Sequence, residues 1–365
     1  MTHIKKIFLI AGARPNFMKV APLYRVLKQA SDSFDPVFVH TGQHYDNNMS
    51  HSFLHDLELP EPHVALNIGS ASHAVQTAKI MMAFEQAVLE HRPDLVVVVG
   101  DVNSTIACAL VASKLQIPVA HIEAGLRSYD REMPEEINRV LTDQISDLLF
   151  TTCEDGNINL RKEGIAGSRI HFIGNLMIES LIRFKSKIDA SNVLDQMELE
   201  SRGYVLMTLH RPSNVDDAET LQAMISTIET SVNGLKIVFP VHPRTQHIIE
   251  QNKIRIPPKM VLAEPIPYYA FMNLQQHARF VLTDSGGVQE ETTFFRTPCL
   301  TLRENTERPI TISQGSNVLV GTKTKHIELA IDDVLSGRTV KPYDMPQYWD
   351  DQVSRRFLEV VEQTI

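Results

Sequence analysis

The sequence predicts an α/β protein built from two doubly wound domains, and three observations carry that expectation. Short continuous runs of Val, Ile, Leu and Phe recur along the chain, each stopping at a Gly, Asp or His. Runs of this kind mark parallel strands buried on both faces. Longer segments with helical spacing lie between them, and the whole pattern restarts in the second half. A length of 365 residues suits two domains of ordinary size.

In the first half the strand-like runs are Ile7 to Ala11, Pro36 to His40, Leu95 to Val99, Val119 to Ile122 and Leu148 to Thr151. Amphipathic segments such as Met18 to Ala30, Ala74 to His91 and Thr105 to Leu115 read as the helices between them. In the second half the runs are Tyr204 to Leu209, Ile237 to Val241, Val261 to Leu262, Phe280 to Thr283 and Cys299 to Leu302. The stretch Gly174 to Ser201, where an apolar helix-like segment turns polar, is the expected hinge. This gives Rossmann-like domains over 1–175 and 176–351, with a last helix over 352–365 that returns to the first domain.

Composition narrows the function. With 43% apolar and 22% charged residues, 16 Gly and 19 Pro, the chain is neither disordered nor collagenous. A net charge of -9, from 35 Lys and Arg against 44 Asp and Glu, with no basic block, argues against a nucleic-acid partner. Cys108, Cys153 and Cys299 lie far apart without CxxC spacing and read as reduced core thiols. No run of about 18 apolar residues occurs, and Met1 to Ile10 leads straight into a glycine turn. The expectation is a cytoplasmic protein with no signal peptide and no membrane span.

In open α/β sheets ligands bind beyond the carboxyl ends of the strands, so those residues carry the functional information, and a cleft between two facing domains is the expected site. The first strand runs into Gly12-Ala13-Arg14-Pro15-Asn16, with Lys19 on the following helix. That is either an anion site at a helix N-terminus or a tight turn with two solvated cations. It is not GxGxxG, and no GxxxxGK[ST] occurs, so dinucleotide and P-loop readings lose their support. The run ending at Val99 delivers Asp101, as a helix cap or as an acid, base or ligand. His121 and Glu123 share a strand face, which brings Glu123 to the same edge as Asp101. Pro134-Glu135-Glu136 opens a helix, and one of the paired Glu compensates the helix dipole. Three carboxylates can thus converge, as a site needs for an acid and a base.

In the second half His210-Arg211 and His242-Pro243-Arg244 end strands, where a His beside an Arg suits an anion ligand or an acid/base group. His51 and His55 lack the Glu of a zincin and read as a solvated helix face. The strongest local signal is Thr283-Asp284-Ser285-Gly286-Gly287-Val288-Gln289-Glu290-Glu291. Two glycines between strand and helix let a pyrophosphate approach unpaired backbone donors, and carboxylates one turn later can reach ribose hydroxyls. Arg308, in Thr306-Glu307-Arg308-Pro309, is placed to clamp the same phosphates.

Taken in order, Gly12-Ala13-Arg14-Pro15 with Lys19, Gly100-Asp101, His121-Ile122-Glu123-Ala124-Gly125-Leu126-Arg127, Pro134-Glu135-Glu136-Ile137-Asn138-Arg139, His210-Arg211, Asp284 to Glu291 and Thr306 to Pro309 resemble the non-hydrolysing UDP-N-acetylglucosamine 2-epimerases. The resemblance implies the glycosyltransferase-B architecture, a UDP-sugar in the cleft, and interconversion of UDP-GlcNAc and UDP-ManNAc through UDP elimination to 2-acetamidoglucal and re-addition. It implies Lys19, Asp101, Glu123, Glu135 and His210 as catalytic residues. It also implies UDP contacts from Arg14, Phe271, Ser285, Gly286, Gly287, Glu291 and Arg308, with Phe271 packing on uracil. It calls for no cofactor and no metal, and suggests a homodimer, with the helix Ala74 to His91 as a candidate contact.

The departures from the family pattern are specific. A second, activating substrate site in many bacterial members uses a Gln-His-x-x-Gln pattern and a downstream Arg; here Gln43 and His44 are kept, Asp46 replaces the later Gln, and Gly69 to His73 holds no Arg. Activation by substrate is therefore expected to be weak or absent. His210-Arg211-Pro212-Ser213 and Arg308-Pro309-Ile310 replace His-Arg-Arg-Glu and Arg-Pro-Glu. Rival readings are an epimerase of UDP-2,3-diacetamido-2,3-dideoxyglucuronate, a hydrolysing relative that releases ManNAc, a glycosyltransferase of the same fold, or a silent UDP-sugar-binding protein.

Overall fold

The computed structural model describes residues 3–42, 54, 56–338 and 343–365, with the backbone alone at Arg14. It contains two compact units, Met1–Arg183 with Gln347–Ile365, and Phe184–Pro346.

The first unit is built on β1 (Lys5–Ala11), β2 (Phe34–His40), β3 (Val64–Ala65), β4 (Leu95–Val99), β5 (Val119–Ile122), β6 (Leu148–Thr151) and β7 (Ile170–Phe172). They form one parallel sheet in the order β3-β2-β1-β4-β5-β6-β7. Its helices of eight residues or more are α1 (Arg14–Gln29), α2 (His73–His91), α3 (Asn103–Lys114), α4 (Pro134–Ile145), α5 (Glu154–Lys162), α6 (Leu176–Arg183) and, from the C-terminal segment, α12 (Val353–Thr364). The Leu-Val-Val-Val-Val run of β4 is wholly buried because helices cover both sheet faces. On one face α2 inserts Ile80, Phe84 and Val88, spaced by four, against Phe8, Val96 and Val98. Inside α1, Pro22 offers no N–H to the Met18 carbonyl, and the Ser180 hydroxyl of α6 donates to it instead at 2.6 Å.

The second unit repeats the scheme with β8 (Tyr204–Thr208), β9 (Lys236–Pro240), β10 (Met260–Ala263), β11 (Phe280–Thr283), β12 (Cys299–Thr301) and β13 (Asn317–Leu319). The parallel order is β10-β9-β8-β11-β12-β13. Its longer helices are α7 (Ala218–Ser231), α8 (Pro243–Gln251), α9 (Tyr268–His277), α10 (Gly286–Phe295) and α11 (Thr324–Leu335). Alternation along β8 serves both faces: Val205 and Met207 join one core with α7 and α11, Tyr204 and Leu206 another with Leu274 and Val288.

Each sheet reverses its winding once, between β1 and β4 and between β8 and β11. The crevice beyond the strand ends at such a reversal is where doubly wound sheets bind ligands. The loops that emerge there are Gly12–Ala13 and Gly100–Asp101 in the first unit, and His210–Arg211 and Asp284–Ser285 in the second. This is the α/β two-domain fold of the glycosyltransferase-B class.

Candidate active site

In the first unit the turn after β1 is set by Asn16, a residue that sequence reading passed over. Its side-chain oxygen accepts from the Gly12 and Ala13 amides at 3.3 and 3.0 Å, and its amide nitrogen donates to the Val99 carbonyl at 3.2 Å. One amide thus fastens the ends of β1 and β4 together. Arg14 opens α1, and its side chain lies outside the described atoms. Lys19, five residues into the helix, is buried and donates to Glu123 Oε2 at 2.5 Å. Gly100 takes φ +69°, which favours glycine, and brings the chain close to the Asn16 and Glu123 side chains.

Asp101 does not cap the next helix: the cap residue of α3 is Val102, without a side-chain cap bond. Its carboxylate, 30% exposed, pairs instead with Arg139 of α4, which also pairs with Glu136. Glu136 does more than compensate the helix dipole. It accepts from the Ser128 amide and hydroxyl and from the Tyr129 amide, each at 2.9 Å, and so fixes the loop to the start of α4. Glu135, half-buried in the first turn of α4, has no hydrogen-bond or ion-pair partner among the described residues. The structure brings Asp101 and Glu123 to the ends of the neighbouring strands β4 and β5, each with a cation on it.

In the second unit the central residue is Asp284, fully buried at the end of β11. It accepts from the His210 and Arg211 backbone amides, the latter at 2.9 Å, from the Asn214 amide at 3.0 Å, and from His210 Nδ1 at 2.8 Å. Burial would push its carboxyl up, but the hydrogen bond and charge of His210, with the Arg211 and Asn214 donors, hold it below the usual carboxylate range. An acceptor on Nδ1 fixes the tautomer and aim of the ring, whose side chain is half-exposed. His242, by contrast, caps α8 by accepting from the Arg244 amide, and Arg244 pairs with Asp216.

Ser285 precedes α10 as its cap residue, and Gly286 and Gly287 form the first turn. The two glycines differ. A Cβ on Gly286 would run into Glu307 Oε1 and lie 2.9 Å from Arg308 Nη1, whereas one on Gly287 would meet nothing nearer than Glu291 Oε1 at 4.0 Å. Neither has a positive φ. Gly286 is glycine for packing, and Gly287 leaves the helix terminus open. Arg308 is held by Glu290 at 3.0 Å and Glu307 at 2.8 Å, with Arg303 on the far side of Glu307. Thr306 accepts from the Arg308 amide at 3.1 Å and donates to Gln289 of α10 at 2.7 Å. Glu291 is buried and takes a 2.6 Å bond from Gln275 of α9, four residues after the half-buried Phe271.

Asn16, Arg139, Gln275 and Asp284 hold the expected groups in place and were not singled out from sequence. Among the described residues no group of three or more His, Cys, Asp or Glu is placed to share a metal ion. Gln43, His44, Asp46, His51 and His55 lie outside the described residues.

The family model described as UDP-N-acetylglucosamine 2-epimerase matches residues 26–362. The chain belongs to that family. It is 46% identical over 328 residues to a UDP-N-acetylglucosamine 2-epimerase homolog of Methanococcus maripaludis, covering 88% of this chain and 90% of that one. It is 39% identical over 357 residues to a UDP-2,3-diacetamido-2,3-dideoxy-D-glucuronate 2-epimerase of Pseudomonas aeruginosa, covering 97% and 98%. The structure superposes on that of Methanocaldococcus jannaschii UDP-GlcNAc 2-epimerase in complex with UDP-GlcNAc and UDP with TM-score 0.90, at 39% identity, covering 98% and 99% of the two chains. The epimerase family therefore accounts for nearly the whole chain, both sheets included.

Proposed function

We propose that this epimerase interconverts UDP-GlcNAc and UDP-ManNAc. The C2 proton of the sugar has no neighbouring carbonyl to acidify it, so its removal is coupled to loss of UDP. The C1–O bond breaks with its electron pair leaving on the diphosphate, a carboxylate takes the C2 proton, and a C1=C2 double bond forms. Protonation of the resulting 2-acetamidoglucal on the other face, with UDP adding back to C1, gives the epimer. The scheme needs a base, an acid and cations for the leaving group.

The observation that carries this reading is the pair of strand-end carboxylates with buried cations on them, Lys19 on Glu123 and Arg139 on Asp101. Their positions at the strand ends suit them to take the C2 proton. Glu135, with no hydrogen-bond or ion-pair partner among the described residues, suits the group that returns one. His210, aimed by Asp284, supplies a donor for the departing diphosphate. The UDP moiety falls to Arg14, Ser285, Gly286, Gly287 and Arg308, the ribose to Glu291 and the uracil to Phe271. The open space at Gly287 supports the diphosphate assignment, while Gly286 serves it indirectly by admitting Arg308. Functionally, domain 1–175 with 352–365 carries the carboxylates, and domain 176–351 binds UDP. The compact units over 1–183 with 347–365 and over 184–346 support that division.

We also infer a cytoplasmic homodimer. Val75, Met82 and Leu89, seven residues apart on α2, are exposed on the side away from the buried Ile80, Phe84 and Val88. A stripe of that period suits a matching helix of a second copy. Among the described residues no helix is long and apolar enough to cross a membrane.

The test is incubation with UDP-GlcNAc in D2O, followed by proton NMR, with Asp101→Asn as control. UDP-ManNAc deuterated at C2, in equilibrium with UDP-GlcNAc, is the expected outcome. Free ManNAc with UDP would make the protein a hydrolase. An unchanged substrate would turn attention to the diacetamido uronate, on which the Pseudomonas relative is named to act.

A further inference from the structure

Behind the paired carboxylates lies a buried charge network that the chemistry above does not use. His121 of β5 is fully buried. Its Nε2 lies 2.8 Å from the Gly100 carbonyl oxygen, and its Nδ1 lies 2.7 Å from Asp143 Oδ1 of α4. A carbonyl only accepts, so Nε2 donates; an ionised carboxylate only accepts, so Nδ1 donates as well. Asp143 is ionised: burial would raise its carboxyl, but the charge and hydrogen bond of His121, joined by those of Arg127, hold it below the usual range. Both ring nitrogens are thus tied to fixed partners.

The second oxygen of Asp143 accepts from the Gly125 amide at 3.1 Å and pairs with Arg127 at 2.6 Å. Glu163 takes two bonds from the same guanidinium, at 2.7 and 2.6 Å. The outcome is positional. Glu123 sits at φ +69°, in the left-handed region that a residue with a side chain occupies only under backbone strain. Asp143 grips the chain two residues before it, through His121, and two residues after it, through Gly125. Gly125 itself has φ +79°, and a Cβ there would collide with the Gly156 carbonyl, so the turn cannot relax on that side. The other ring nitrogen holds Gly100, the residue before Asp101.

We propose that His121 and Asp143 are positioning residues: their pair locks the backbone that carries Asp101 and Glu123, so proton transfer depends on it while UDP binding does not. The proposal rests on reading Asp101 and Glu123 as the proton-transfer groups, and the experiment separates the two. His121→Gln, Asp143→Asn and Glu123→Gln are compared with the unaltered full chain by kcat, KM, C2 deuterium incorporation and UDP calorimetry, with activity expressed per UDP-binding molecule. The expected result for His121→Gln and Asp143→Asn is a kcat lower by on the order of 10²-fold, as small displacements of reacting groups produce, with UDP affinity and KM within about threefold of the unaltered protein. An unaltered kcat, or KM and UDP binding failing in step with kcat, overturns the proposal. Full exchange in Glu123→Gln overturns the reading of the carboxylates and the proposal with it; an inactive Glu123→Gln beside an undamaged Asp143→Asn overturns the positioning role alone. Should neither variant fold, 15N-histidine NMR of the unaltered protein decides: a hydrogen-bonded Nδ1 proton shared with Asp143 is expected on His121, and its absence overturns the proposal.

Discussion

At the scale of single residues, the group with most leverage on the second unit is Asp284, because it holds the Nδ1 of His210. Asp284→Asn keeps the size but removes the anion that selects the tautomer, and kcat is expected to fall by on the order of 10²-fold, with little change in the fold by circular dichroism. The same residue predicts a response to acid. Its carboxyl is held below the usual range in the folded protein. The stability it contributes is therefore fully present above the unfolded carboxylate value of about 3.9 and is lost as pH falls through the lower folded value. Melting temperature should drop below about pH 4, and less steeply in Asp284→Asn. Neither the partners of His210 nor those of Asp101 were legible in the sequence. Asp284 reaches His210 because β11 lies beside β8, and Arg139 reaches Asp101 across the gap from α4 to the end of β4; both facts require the strand order. The expected residue types were readable because strand-end carboxylates and a Ser-Gly-Gly turn are local patterns.

At the scale of elements, the glycine turn of α10 offers a comparison of two adjacent positions. Gly287→Ala has room and should leave the melting temperature within about 2 °C while raising KM, since the added methyl meets only what approaches the helix terminus. Gly286→Ala must displace Glu307 and Arg308, and should cost about 1–3 kcal/mol of stability as well as weakening UDP binding, measurable by denaturant titration and calorimetry. In α1, Ser180→Ala removes the hydroxyl that donates to the Met18 carbonyl opposite Pro22, and a loss of about 1–3 kcal/mol is expected in urea unfolding. Central strands were legible from sequence for the same reason that they are stable: β4, β8 and β11 are apolar on both sides. The edge strands β3, β7 and β13 were not, because each is only two or three residues long and partly exposed. Pro36 likewise hid the start of β2, which begins at Phe34.

At the scale of the whole molecule, the dimer inferred through α2 gives a direct test. Light scattering should report twice the chain mass, and Met82→Glu, a change at a 71% exposed position, should shift it to the monomer without altering circular dichroism. With Asp46 at the later Gln position and no Arg between Gly69 and His73, the rate is expected to rise hyperbolically with UDP-GlcNAc; a sigmoidal curve would contradict it. The family itself was readable at this scale because its motifs occur in order along most of the chain, an ordering that no single motif supplies.

The segment Gln347–Ile365 completes the first unit after the second has intervened in sequence. Phe357 rests on Phe150 with ring centroids 4.9 Å apart, Trp349 donates to the Thr152 carbonyl at 3.1 Å, and the buried Glu179 takes two 2.6 Å bonds from Ser354. On a ribosome these partners are made after the whole of the second unit. The second unit, begun later, has its entire sequence available at Pro346, while the first must wait with Phe150 uncovered and Glu179 lacking two of its donors. Folding during synthesis is thus expected to finish in the reverse of the order in which the units begin, and a stalled chain ending near Pro346 would present that uncovered surface to chaperones.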